Sequence, residues 1–154
     1  MPTVEVSQLQ LWANDTEQAI ANIKTLVTSI GTADQSTVDW ATEALENCGP
    51  PRKDDAEWLA KQLFSDTADV SYWAATLLGR LGDDVTECQA TLAKLASDSE
   101  RTANVRQRAV WALGRISNLS NESKIALQSL RDNTSLGPVA AMAEMVLAEA
   151  SKKG

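Results

Sequence analysis

The chain has 154 residues, a net charge of −7, 44% hydrophobic residues and no histidine. That length suits one domain with a continuous core, and the ordinary hydrophobic content argues that it folds. The acidic balance sets the chain against phosphate backbones, which makes nucleic acid the least favoured partner, though a local basic patch stays open.

Alanine and leucine are abundant and β-branched runs are absent, which favours an all-helical protein. The N-terminus, Met1 to Val6, has no basic segment followed by an apolar run. It does not read as a secretion signal, and no stretch approaches the length of a membrane span. A cytoplasmic location is the expectation, and the Asn-x-Ser/Thr sites at Asn14, Asn118, Asn121 and Asn133 carry no weight.

Residues 1–13 fit neither helical nor strand periodicity cleanly, so a short helix or an extended arm is expected, covering the first repeat. A helix is expected from about Thr16 to Ile30, capped by Asn14 or Asp15 and stopped at Gly31. Next comes a helix starting near Ser36 and ending at Gly49-Pro50-Pro51, then a second from about Asp54 to Phe64. Val70–Leu81 is followed by a turn at Gly82-Asp83-Asp84 and a helix over about Val85–Ala96. Val105–Ile116 is followed by about Asn121–Leu130, with Ile125, Leu127 and Leu130 as its apolar set. The last helix starts near Pro138, where proline suits the first turn, and ends near Ala150 with Ser151–Gly154 as a frayed tail.

The segments at 70–81 and 105–116 say the same thing twice. Ala74 and Ala109, Leu78 and Leu113, Gly79 and Gly114, Arg80 and Arg115 all pair at a spacing of 35 residues. Weaker copies hold Trp40, Ala41, Leu45 and Cys48 on one side and Val139, Ala143 and Leu147 on the other. Ser36, Asp69 and Asn104 recur at the matching N-terminal positions and are expected as caps. A period of this size means stacked repeats. The expected fold is an all-α, α-α superhelix of about three to four helix pairs. It forms a single domain over 1–154, with 1–35 as an N-terminal helical cap and 36–154 as repeats.

The phrase Val-Arg-x-Arg-Ala-x-x-Ala-Leu-Gly-Arg-Ile at 105–116 resembles HEAT repeats, an armadillo-like solenoid family. Its nearest variety is the short phycobilisome lyase HEAT-like repeat. The resemblance covers roughly residues 36–150 and is strongest over 70–130. It implies a scaffold or adaptor that binds protein partners and is not an enzyme. As an alternative it implies a bilin-handling or small-molecule-binding protein, and least of all a nucleic-acid-binding one. A homo-oligomer formed through the exposed end repeats is a further expectation.

Candidate residues follow from architecture rather than from chemistry. Solenoids usually bind through their second helices, whose polar positions here are Glu57, Lys61, Gln62, Gln89, Lys94, Lys124 and Gln128. They are either a contact surface or merely solvated. Arg106 and Arg108 belong to a local basic cluster with Arg101 and Arg115. That cluster is either a solvated face or a contact to acidic surface, whose affinity would fall with salt. The acids are unevenly spread: residues 1–66 hold 11 acids and 4 bases, whereas residues 67–154 hold 10 of each.

Arg80 and Arg115 either read carboxylates on a partner, pair with acids such as Asp83 or Asp84, or cap helix-end carbonyls. Gly79 and Gly114 are expected to permit close approach of a paired helix. Trp12, Trp40, Trp58, Trp73 and Trp111 are expected mostly in the core. Trp58 shares a column with Ala90 and Ile125, and Trp12 is the least constrained. Cys48 and Cys88 form no CxxC and, without histidine, make a zinc site improbable; they read as free thiols. No catalytic, cofactor or metal residue is nominated, because there is no general-base histidine, GxSxG, phosphate loop or dinucleotide fingerprint.

Overall fold

The computed structural model describes residues 4–153, with side chains through residue 152. Met1, Pro2 and Thr3 of the expected N-terminal cover lie outside the described residues, as do Gly154 and the Lys153 side chain of the expected tail. The α-helices are α1 (Val6–Ala13), α2 (Thr16–Ala21), α3 (Ile23–Ile30), α4 (Gln35–Cys48), α5 (Ala56–Gln62), α6 (Ala68–Leu81), α7 (Gln89–Ser97), α8 (Ala103–Gly114), α9 (Asn121–Asp132) and α10 (Pro138–Lys153). No strand occurs among the described residues. The fold is an all-α, α-α superhelix.

The long helices α4, α6, α8 and α10 carry the repeat. Ala41, Ala74, Ala109 and Ala143 occupy one column and are fully buried, as are Leu45, Leu78 and Leu113 in the next. A small residue in one column and leucine in the other lets neighbouring helices interdigitate at native packing density. Helices α6, α8 and α10 lie side by side; α5 packs on α6, α7 on both α8 and α9, and α9 on α10. At the other end α1 and α3 both pack on α4, and α3 reaches across to α6.

Gly79 and Gly114 serve the contact between successive long helices rather than between the two helices of a pair. A Cβ on Gly79 would overlap the Trp111 ring of α8, and one on Gly114 would stand 2.8 Å from Val146 Cγ2 of α10. Each glycine receives the side chain 32 residues further on.

Several boundaries differ from the sequence expectation. The helix expected over 16–30 is broken at Asn22, whose side chain donates to the Gln18 carbonyl at 2.7 Å and whose backbone leaves the helical region. This is the local competition that asparagine offers to helix continuation. The caps of the three repeat helices lie two residues before Ser36, Asp69 and Asn104. Asp34, Thr67 and Thr102 hold the cap positions, and Asp34 and Thr102 accept from the amides of Thr37 and Val105. Helix α7 begins at Gln89 rather than Val85, because Gly82–Cys88 forms tight 3-10 turns in which Val85 is buried. Helix α10 runs to Lys153, past the expected end at Ala150.

Ile125 is not inward: it is 62% exposed, and Ser123 is buried on that helix instead. Ser123 reaches the interior because its hydroxyl donates to Gln89 Oε1 at 2.9 Å. The Trp58 column is therefore peripheral, with Ala90 and Ile125 exposed and Trp58 half-buried. Trp12 and Trp73 are buried, and Trp40 and Trp111 are half-buried.

Candidate interaction groove

The arginines that the repeat brings round each period reach backbone carbonyls, Arg80 half-buried and Arg115 exposed. Arg80 donates from Nη1 to the carbonyls of Leu45 at 2.7 Å and Gly49 at 3.1 Å, closing the C-terminal end of α4. Arg115 Nε donates to the Gly79 carbonyl at 3.4 Å, one repeat later. Asn47 holds the same position one repeat earlier and donates to the Ala13 carbonyl at the end of α1. Arg101 caps the end of α5 through the carbonyls of Phe64 and Ser65, and Arg106 caps α7 through the Ala96 carbonyl at 2.8 Å. Cations at helix C-termini satisfy orphan carbonyls and complement the negative end of the dipole. Of the readings open for Arg80 and Arg115, carbonyl capping is seen at both, with the acceptors on the preceding repeat.

Arg108 is different, because its hydrogen bond is to a side chain. Its guanidinium lies 4.8 Å from the Tyr72 ring and 4.8 Å from the Trp111 ring, and its Nη2 donates to the Tyr72 hydroxyl at 2.6 Å. A guanidinium carries five N–H donors, so four remain for an incoming acceptor. The two rings hold the plane of the fork in place, which removes much of the ordering entropy of a flexible side chain.

This arginine stands in a groove of about 780 Å³ across the face of the long helices. Helix α4 supplies Thr42 and Glu46; α6 supplies Asp69, Tyr72, Trp73, Thr76 and Arg80. Helix α8 supplies Asn104, Gln107, Arg108 and Trp111, and α10 contributes Met142. Where α6 and α8 begin, the groove adjoins a second recess of about 460 Å³ bounded by Asp66, Asp98, Glu100 and Arg101. Ala68, Thr102 and Val105 border both. The charges thus alternate along the groove: acids at the helix N-termini, Arg108 in the middle, and Glu46 and Arg80 at the far end. In the side recess, hydrogen bonds from the Glu100 amide and from Arg101 hold the Asp98 carboxyl below its ordinary value and keep it anionic.

Of the residues nominated from the sequence, only Arg108 lines this groove. Glu57, Lys61, Lys94, Lys124 and Gln128 are exposed on α5, α7 and α9, and Gln62 is half-buried. Lys94 Nζ lies 5.8 Å from the Phe64 ring centre. Gln89 braces two repeats: its oxygen accepts from the Ser120 amide and the Ser123 hydroxyl, and its nitrogen donates to the Thr86 and Asn118 carbonyls. Arg106 is committed to α7, as described. The groove residues that sequence reasoning passed over are Tyr72, Thr76, Gln107 and the flanking acids. One signal was available: Trp40, Trp73, Arg108 and Met142 share a repeat column, and the arginine replaces an aromatic there.

Cys48 and Cys88 are buried free thiols. Burial pushes both above the ordinary thiol value, and at Cys48 the neighbouring Arg80 guanidinium offsets part of that rise. Among the described residues no three His, Cys, Asp or Glu side chains stand together so as to hold a metal ion, and no helix is long and apolar enough to cross a membrane. A family model described as HEAT repeats matches residues 56–148. No curated protein matches the chain.

Proposed function

Since the chain belongs to the HEAT-repeat family, in which protein–protein interaction is the common role, we propose that it is a non-enzymatic protein-binding module whose contact surface is the groove on α4, α6 and α8. The observation that carries this reading is Arg108, fixed between Tyr72 and Trp111 with donors left over, in the middle of an open groove. Preorganised guanidinium and aromatic side chains are the residue types that dominate binding energy at protein interfaces.

The test compares two altered baits in affinity capture from the source cell, read by cross-linking mass spectrometry. One bait carries Asn104→Trp, which fills the groove from an exposed position. The other carries Lys61→Glu, Lys94→Glu and Lys124→Glu on the second helices. A partner lost with the first and kept with the second supports the groove. The opposite pattern moves the contact surface to the second helices, and a partner kept by both overturns both surfaces.

The narrower resemblance to the phycobilisome lyase variety would put a bilin in the same groove. A bilin carries propionate carboxylates that Arg108 would meet as it would a peptide carboxylate, so the charge of the lining does not separate the two. Pigment titration followed by absorbance separates the two. Self-association is a proposal of the same standing, motivated by exposed Leu11 on α1 and Met145 on α10. Sedimentation velocity tests it, and a monomer across the accessible concentration range removes it.

A further inference from the structure

The proposal here rests on the groove being the binding surface and concerns what it binds. We infer that the occupant is an extended peptide segment of a partner protein carrying one acidic side chain and, a few residues away, one basic side chain. The acidic side chain meets Arg108. The basic one lies toward the N-terminal ends of α6 and α8, against Asp69 and the acids of the adjoining recess.

The argument starts from the charges. An isolated arginine over a ring is common; one clamped by two rings and a phenol hydroxyl presents a fixed planar fork. Such a fork matches a carboxylate in a bidentate arrangement. The flanking acids decide what else the segment carries. Asp69 lies three residues before Tyr72, about 4.5 Å along the helix axis, and Asp66 and Glu100 continue the negative potential beyond it, past the Asp98–Arg101 ion pair. A run of acids laid along the groove would meet these carboxylates, so a single acid fits and an acidic tract does not. A basic residue at that end instead gains from Asp69, Asp66 and Glu100, whereas Asp98 already pairs with Arg101 of the same recess. At the far end the groove is lined by Glu46 and by Arg80, which already serves the carbonyls of Leu45 and Gly49. That end is locally balanced and adds no further charge requirement.

Residue spacing gives the length. Asp69 to Arg80 spans eleven residues of α6, about 16 Å of groove. An extended peptide covers that with five residues at about 3.3 Å each. Asp69 lies about 4.5 Å along the axis from Tyr72 and the recess acids lie further out, so the acidic and basic side chains should lie one to three residues apart.

The experiment is selection of a displayed random dodecapeptide library on the full chain, with Asn104→Trp as the counter-selected bait. Enrichment of peptides that pair one Asp or Glu with a Lys or Arg one to three positions away supports the inference. Arg108→Gln should then weaken a selected peptide by about tenfold or more, and Asp69→Lys should remove the preference for the basic residue while keeping that for the acid. Unchanged far-ultraviolet circular dichroism shows that each variant has folded; Arg108→Lys serves in place of Arg108→Gln if that one does not fold. Groove-dependent peptides without this charge pair overturn the inference and leave the groove as a binding surface. No peptide that distinguishes the filled groove from the open one overturns both.

Discussion

Gly79 leaves room for the Trp111 ring, and the two must be considered together. Gly79→Ala gains about 1 kcal/mol of helix propensity but places a Cβ inside that ring's volume. Overpacking of this kind costs about 1–3 kcal/mol, so the variant should melt several degrees lower by circular dichroism. Gly114→Ala should lose less, because its Cβ meets the end of a valine at 2.8 Å rather than a ring. An unchanged or raised melting temperature for Gly79→Ala would show that Trp111 swings clear. The buried thiols give a second prediction. Because burial raises Cys48 and Cys88 above the ordinary value of 9.0, the folded chain keeps protons that the unfolded chain releases. Their contribution is therefore intact below about pH 9 and is lost as pH rises beyond it. Urea midpoints measured from pH 7 to pH 10 should fall above pH 9, and fall less in a Cys48→Ala, Cys88→Ala chain. The glycines were legible in the sequence because an interior helical glycine is costly enough to need a reason. The arginine partners were not. Arg80, Arg101, Arg106 and Arg115 bind backbone carbonyls of the preceding repeat, and a carbonyl has no letter in a sequence.

Helix by helix, the ties between repeats sit at C-terminal ends. Arg80→Met leaves the carbonyls of Leu45 and Gly49 with only the weak Cys48 thiol as a side-chain donor, at a cost of about 1–3 kcal/mol. Hydrogen exchange should quicken at the end of α4 and remain unchanged in α9 and α10. Equal loss of protection throughout would mean that Arg80 supports the whole chain and not one junction. Thr102→Ala removes the cap on α8 and should cost about 1 kcal/mol. The centres of the long helices could be read in advance, since alanine, leucine and glycine recur there with one meaning. The starts could be read only to within two residues. Ser36, Asp69 and Asn104 lie in the first turn, where polar residues are as welcome as at the cap itself. The second helices were least legible: Ser123 displaces Ile125 from the inward face only because Gln89, 34 residues earlier, offers it an acceptor.

At the scale of the molecule, the column of buried alanine runs through every long helix and that of buried leucine through α4, α6 and α8. Leu113→Ala removes a fully buried side chain and should cost about 2–5 kcal/mol. Each repeat supports its neighbours, so circular dichroism and tryptophan fluorescence should show one shared transition at a lower denaturant concentration. Two separated transitions would show that the repeats melt as independent blocks. The curved architecture was legible from the period alone. The position of the groove was not, because it depends on how far side chains of three different repeats converge, and periodicity fixes the spacing of helices but not the relief between them.

The capping donors also impose an order in time. Asn47 reaches back to Ala13, Arg80 to Leu45 and Arg115 to Gly79. Synthesis runs from the N-terminus, and each acceptor is made some thirty-odd residues before its donor. Every new repeat therefore arrives carrying the group that fastens it to one already laid down, and no finished repeat has to be reopened to admit the next.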